Sequence, residues 1–198
     1  MWLLLACQPQ KNLDTSIDTA VDTNEPVVEE IDEDGDGFPL WSSTSDESIA
    51  DCDDQDSTVT PDVERYIPAG SFLRGEDHTP WSSPQREITL SDYCVDTYEV
   101  TNQQFVEFLE AQLELGLDNV TESGQELYDI DDNDDIFPER IVVTSTGYGV
   151  MDGFEQHPVT EVFYWSANAY CTWMGLSVPT EAQWEKAARG TDGLRFPW

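Results

Sequence analysis

Carboxylates set at alternate positions are the clearest chemistry in this 198-residue sequence. Asp32, Asp34 and Asp36 alternate with Glu33, Gly35 and Gly37, and a second run, Asp51-Cys52-Asp53-Asp54-Gln55-Asp56, leads on to Pro61 and Glu64. Glycine where a short loop must turn, among acids at every second position, lets several oxygens converge without a hydrophobic core. A hard cation such as Ca²⁺ needs about six to eight such oxygens. Asp32, Asp34, Asp36, Asp51, Asp53, Asp56 and Glu64 are therefore the candidate metal ligands, and calcium the candidate ion. Solvation alone would not require glycine at fixed offsets. A third acidic run, Asp129, Asp131, Asp132, Asn133, Asp134 and Asp135, fits either a cation loop or a plain surface loop.

The first two runs resemble known calcium motifs. Asp32 to Phe38 is similar to the opening of an EF-hand loop, although its twelfth position is Ser43 and not the usual glutamate. The order D-x-D-G-D-G-F, D-C-D-D-x-D, P-x-x-E resembles the Asp-rich calcium repeats of extracellular bacterial and thrombospondin-type proteins.

The cysteines are Cys7, Cys52, Cys94 and Cys171, with no C-x-x-C pair to suggest zinc or a thioredoxin-like site. Leu4-Leu5-Ala6-Cys7 resembles a bacterial lipobox, which makes Cys7 the expected site of lipidation and the mature N-terminus. The apolar run before it is too short to span a bilayer and shorter than a full signal region. Cys94 and Cys171 are able to pair in an oxidising compartment, but spacing alone leaves the pairing open.

Charge excludes whole classes of partner. Forty-two acids against eight Lys and Arg give a formal net charge of −34. Nucleic acid binding needs a basic surface, and anionic headgroups are repelled for the same reason, so a lipid anchor is the one expected membrane contact. Residues 1–64 hold 18 acids and one lysine and show no periodic apolar pattern. Most aromatic residues lie after residue 64, where a packed core is expected. The organisation read from composition is a signal remnant over 1–7, an acidic Thr/Asp linker over 8–31, an Asp-rich calcium motif over 32–64 and a folded domain over 65–198. Within the linker Asp14-Thr15, Asp18-Thr19 and Asp22-Thr23 recur every four residues.

The domain reads as loop-rich α+β. Arg65–Gly75 has strand-like residues broken by Pro68 and Gly70, and Ile88, Leu90, Tyr93 and Val95 suggest a second extended stretch. Thr101 with Gln104 forms a capping box ahead of Phe105, Phe108, Leu109 and Leu113 at helical spacing. Ser166 is expected to cap a short helix that turns Tyr170, Trp173 and Met174 inward and stops at Gly175. Thr180 with Gln183 opens a third helix through Trp184, Ala187 and Ala188, ended by Gly190. Trp173 and Trp184 are expected in the core, as is Cys171, a small apolar residue on a buried face. Glu99 and Glu181 sit near helix starts, which favour carboxylates. His157 reads as a loop residue, since His78 is too distant in sequence to share a metal. Asn119-Val120-Thr121 has the glycosylation pattern.

Five ordered blocks identify this domain as resembling the formylglycine-generating, or sulfatase-modifying factor, enzyme family. They are Ile67-Pro68-Ala69-Gly70-Ser71-Phe72; Tyr98-Glu99-Val100-Thr101-Asn102; His157-Pro158-Val159; Ala169-Tyr170-Cys171-Thr172-Trp173; and Pro179 to Gly190, followed by Phe196-Pro197-Trp198. The chain departs from the pattern at Ser177-Val178, where the family has Arg-Leu, and at Val162-Phe163-Tyr164-Trp165, where it has V-S-W.

The resemblance implies the family's C-type-lectin-like α+β fold, truncated at its C-terminal side. It also implies an O₂-dependent oxidation of a sulfatase cysteine to formylglycine at a copper-binding cysteine pair, since soft thiolates suit Cu(I). In the family that pair follows the Pro-Trp segment, so no catalytic or cofactor-binding residue is assigned here, and residues 1–198 alone are expected to be inactive. Copper is expected only where further sequence carries such a pair. The expected partner is a sulfatase or another protein or peptide, and the expected location is outside the cytoplasm, at a membrane surface or in the periplasm. The rival class is a non-catalytic, calcium-stabilised surface binding module.

Overall fold

The computed structural model describes residues 7–9, 32–36, 38–40, 44, 50, 52, 53, 55, 57, 59–77, 83–130, 139–194 and 196. In chain order the elements are β1 (Gln8–Pro9), β2 (Glu64–Ile67), β3 (Gly70–Arg74), β4 (Arg86–Leu90), β5 (Tyr93–Asp96), α1 (Asn102–Glu114), β6 (Ile141–Val143), β7 (Tyr148–Val150), α2 (Tyr164–Trp173), β8 (Leu176–Ser177) and α3 (Glu181–Arg189). This is an α+β chain of short antiparallel strand pairs with three helices among the described residues. It divides into two compact units, one of Met1–Cys7 with Tyr98–Val178, the other of Gln8–Thr97 with Pro179–Trp198.

The first unit is organised by α1. Thr101 caps it as its spacing predicts: its Oγ1 accepts from Gln104 N, and the Gln104 side chain accepts from Thr101 N. The next free amides at the helix start are satisfied from one loop, Asn102 N by His157 O and Gln103 N by Glu155 O. Helix starts leave about four such donors, so this loop is part of the helix's stability. Phe105, Phe108 and Leu109 are buried, while Gln104 and Glu107 face solvent. Their rings meet Tyr170 of α2, Phe105 stacked at 5.8 Å and Phe108 edge-on at 5.7 Å. Such pairs add about 0.5–1.5 kcal/mol each beyond area burial. Tyr128 completes this core, and its hydroxyl accepts from Arg140 N and Ile141 N, which fixes the start of β6. Burial pushes the Tyr128 phenol up.

The hairpin of β6 and β7 pairs Ile141 with Val150. It docks on α1 through Glu110, whose carboxylate accepts from Tyr148 N, while Tyr148 Oη donates to Asp118. Gly147 lies at φ +149, and a Cβ there would collide with the Glu110 carboxylate. This position therefore needs glycine for both backbone and space.

Helix α2 begins two residues before the expected Ser166 cap. Phe163 is the N-cap and makes no side-chain capping bond; Ser166 is buried inside the helix, with Oγ 3.4 Å from Glu126 O. Gly175 ends the helix in a left-handed turn, as expected. Trp173 is 43 % exposed, with its ring 5.6 Å from Phe108 and 6.0 Å from Tyr170, and Met174 is exposed as well, contrary to the expected inward face. The residues turned inward are Ala167, Tyr170 and Cys171. Tyr170 makes the ring contacts to α1, and the Trp173 indole is left at the edge of this face.

In the second unit the Pro68–Gly70 break splits the predicted strand into β2 and β3. β2 pairs with β5, Tyr66 opposite Cys94, and β3 pairs with β4, Phe72 opposite Ile88. Thr180 and Gln183 form the expected capping box of α3. That helix lays an unexpected face on the strands. Trp184 is 43 % exposed, whereas Lys186 is only 3 % exposed. Lys186 Nζ donates to Pro68 O at 2.5 Å and to Gly70 O at 3.3 Å, so the Pro–Gly break itself supplies the acceptors that a buried ammonium requires. Tyr93 Oη donates to Gln183 O at 2.6 Å, and burial pushes the Tyr93 phenol up. Glu185 accepts from Gly75 N and from Arg189, fastening the end of β3 to the helix.

Candidate functional site

Asp32, Asp34 and Asp36 converge. Each offers a carboxylate oxygen, and these oxygens lie within 4.8 Å of one another. The backbone forces this arrangement through local bonds. Gly35 N donates to Asp32 Oδ1 at 2.7 Å, Asp36 N to Asp34 Oδ1 at 3.0 Å and Phe38 N to Asp36 Oδ1 at 2.8 Å. Gly35 takes φ +78, the left-handed conformation expected of glycine at the turn. Asp34 and Asp36 are half-buried and Asp32 is exposed. Three carboxylates around one point repel each other, and a divalent cation would relieve that repulsion while taking oxygens from all three.

Of the remaining candidates, the described Asp53 and Glu64 do not group with these three. Asp51 and Asp56 lie outside the described residues, as do residues 131–135 of the third acidic run. Asp53 is exposed and accepts from Gln55 N at 3.2 Å. Glu64 is only 8 % exposed, at the head of β2 opposite Asp96. Its carboxylate groups with the sulfurs of Cys52 and Cys94, which are bonded to each other. A metal needs thiolate and not disulfide sulfur, so this second grouping is no metal centre.

The cysteines form two disulfides. Cys94 is joined to Cys52 and Cys171 to Cys7, so the Cys94–Cys171 pairing raised by the sequence is replaced by two others. Cys171 is fully buried, as its helix position predicts. Cys7 is also fully buried, and its sulfur is already bonded. One sulfur cannot carry both a disulfide and a thioether to lipid, so the structure departs from the expectation of lipidation at Cys7. All four cysteines are in disulfides.

The motif residues mostly hold the scaffold. Asn102 is fully buried, and its Nδ2 donates to Phe154 O at 2.9 Å, tying helix α1 to the loop before His157. His157 is exposed, and its ring lies 5.0 Å from that of Phe154, which also carries the Arg140 guanidinium at 3.7 Å. Asn119, the residue of the glycosylation pattern, has φ +51 and donates its amide to Tyr128 O at 2.8 Å, so that amide is used inside the fold. Glu181 pairs with Arg74 at 2.7 Å on the surface, where such a pair contributes little. Sequence reasoning missed Lys186 and Glu64 as buried charges. The available signal for Lys186 was its place two residues after Trp184, on the opposite side of α3.

Residues 50–198 match the sulfatase-modifying factor enzyme 1-like domain. A formylglycine-generating enzyme of Thermomonospora curvata is 31 % identical over 159 residues, covering 67 % of this chain and 50 % of its own length. The serine/threonine-protein kinase Pkn1 of Chlamydia trachomatis is 37 % identical over 134 residues, 67 % of this chain but 20 % of the relative. The inactive Cα-formylglycine-generating enzyme 2 of Mus musculus is 29 % identical over 158 residues, 67 % of this chain and 49 % of its own length. The chain thus spans between a fifth and a half of these relatives. With 149 of 198 residues inside the matched domain, from 50 through 198, the chain belongs to the sulfatase-modifying factor enzyme 1-like domain family.

Proposed function

We propose that this chain supplies the scaffold of a sulfatase-modifying factor domain in an exported protein, and that residues 1–198 do not themselves oxidise cysteine. The observation that carries this reading is that all four cysteines are bound in two disulfides. Oxidation of a sulfatase cysteine to formylglycine, the activity named for some relatives, requires thiolates able to hold Cu(I), and none of these sulfurs is available. Copper therefore belongs only to a protein that adds a further cysteine pair, and the partner would be a sulfatase or a comparable peptide. The small α+β units would then be part of the loop-rich, C-type-lectin-like fold implied by the family resemblance.

Two disulfides favour an oxidising compartment, which supports export. Lipid at Cys7 and the Cys7–Cys171 bond exclude each other, so a lipid-anchored form would be one without that disulfide. Calcium at Asp32, Asp34 and Asp36 would stiffen the acidic segment ahead of the domain. The alternative reading, a calcium-stabilised binding module without catalysis, is favoured by the same lack of thiols; a relative named as inactive has comparable identity. The test is to incubate the chain with a C-x-P-x-R peptide, Cu(I), reductant and O₂. Unchanged peptide mass is expected, and conversion to the aldehyde would refute the proposal.

A further inference from the structure

Cys7, Cys94 and Cys171 are buried, whereas Cys52 is half-buried, so Cys52–Cys94 is the disulfide that a reductant reaches first. A Glu64 carboxylate oxygen and the sulfurs of this pair lie within 4.8 Å of one another. The register of β2 and β5 explains the placement. Glu64 is opposite Asp96 and Tyr66 is opposite Cys94. Residues directly opposite, and residues two apart along one strand, share a face. Glu64, Cys94 and Asp96 therefore stand on one face of the strand pair, and Cys52 is held to it by its bond to Cys94. Like charges directly opposite on a sheet destabilise it, and an uncharged disulfide does nothing to offset the repulsion between Glu64 and Asp96. A divalent cation beside them would.

We propose that the reduced chain holds Zn²⁺ at Cys52, Cys94 and Glu64, so that the disulfide and the metal are alternative ways of fastening the second Asp-rich run to β5. With the bond closed, the sulfurs take no metal. A dithiol reductant supplies two electrons and two protons, the S–S bond becomes two thiols, and the reductant closes to a cyclic disulfide. Zn²⁺ then displaces both thiol protons to solvent. Tetrahedral Zn²⁺ takes thiolate sulfur at about 2.3 Å and carboxylate oxygen at about 2.0–2.2 Å, which sets the two sulfurs about 3.8 Å apart and leaves a fourth position for water. That spacing fits inside the 4.8 Å already enclosing the three donors. Ca²⁺ takes oxygen alone, so this site and the Asp32, Asp34 and Asp36 cluster differ in the ion they suit. The proposal is independent of the domain's oxidation chemistry.

The test reduces the full chain with a phosphine, removes the phosphine under nitrogen and titrates with Co²⁺ as a spectroscopic stand-in for Zn²⁺. A saturable thiolate-to-cobalt charge-transfer band is expected, and added Zn²⁺ should abolish it, because Zn²⁺ binds such donors more tightly than Co²⁺. The unreduced chain should show no band; cobalt on the oxygens of Asp32, Asp34 and Asp36 gives none, which keeps the two sites distinct. Glu64→Gln should weaken binding by about tenfold or more, since even partners outside a metal's ligand shell are worth about that much. Glu64→Cys should strengthen the band, because a third thiolate joins the ion. Cys7→Ser with Cys171→Ser should leave the band in place. Far-UV circular dichroism of each reduced, metal-free variant checks that it matches the unaltered chain. No band in the reduced chain, a band unchanged by both Glu64 variants, or one that survives Cys52→Ser with Cys94→Ser would overturn the proposal.

Discussion

Cys52 is joined to Cys94, so the second Asp-rich run is fastened to strand β5 beside the buried Glu64 carboxylate. The acidic segment and the domain are therefore linked covalently as well as in sequence, and the domain match already begins at residue 50. Replacing Cys52 and Cys94 together by serine should cost about 2–4 kcal/mol of unfolding free energy, from the freedom regained by the unfolded chain. Denaturant unfolding under oxidising conditions checks this, and an unchanged midpoint would show that the bond does not constrain the unfolded ensemble.

Calcium should bind where Asp32, Asp34 and Asp36 converge. Calorimetry on the whole chain is expected to give saturable heat with a dissociation constant on the order of 10⁻⁴–10⁻³ M, the range of extracellular modules. Asp34→Asn with Asp36→Asn should weaken it by about tenfold or more, because two of the converging charges are lost. A flat titration of the unaltered chain would remove calcium from the account.

Gly147→Ala should destabilise the β6–β7 hairpin by about 1–3 kcal/mol, since φ +149 is strained for alanine and the new methyl meets the Glu110 carboxylate. Adding Glu110→Ala relieves the collision but not the backbone strain. The double variant should therefore lose less than the sum of the two single variants. Strict additivity in thermal unfolding would show that the two sites do not couple.

Burial raises the phenols of Tyr93, Tyr128 and Tyr148 above their ordinary value of 10.0. The folded state then holds these protons after the unfolded chain has released them. Their contribution is fully present below pH 10 and is lost as pH rises above it. Melting temperatures between pH 8 and about pH 11 should fall above pH 10, less steeply in Tyr93→Phe. A flat profile would contradict the burial of these hydroxyls.

Local signals carried much of the fold. The Thr101–Gln104 and Thr180–Gln183 boxes start α1 and α3 as their spacing predicts, because capping is decided within four residues. The Gly175 stop was legible for the same reason. Facing was less so: Trp173 and Trp184 read as core but stand at helix edges, since which face is buried depends on what the strands offer. Lys186 is inside because carbonyls at Pro68 and Gly70, more than a hundred residues earlier, accept its protons. Disulfide pairing is likewise a property of the folded chain, and no spacing among Cys7, Cys52, Cys94 and Cys171 revealed it. Among the described candidate ligands, those close in sequence, Asp32, Asp34 and Asp36, were placed together, whereas Glu64 went to a strand start.

The scaffold reading is tested most directly by mass spectrometry of a C-x-P-x-R peptide incubated with the whole chain, Cu(I), reductant and O₂, alongside titration of free thiols in the unreduced protein. The account predicts no reactive thiol before reductant is added and no conversion of the peptide thiol to an aldehyde. Aldehyde formation that disappears in Cys94→Ser or Cys171→Ser would contradict it and place oxidation chemistry on sulfurs assigned here to disulfides.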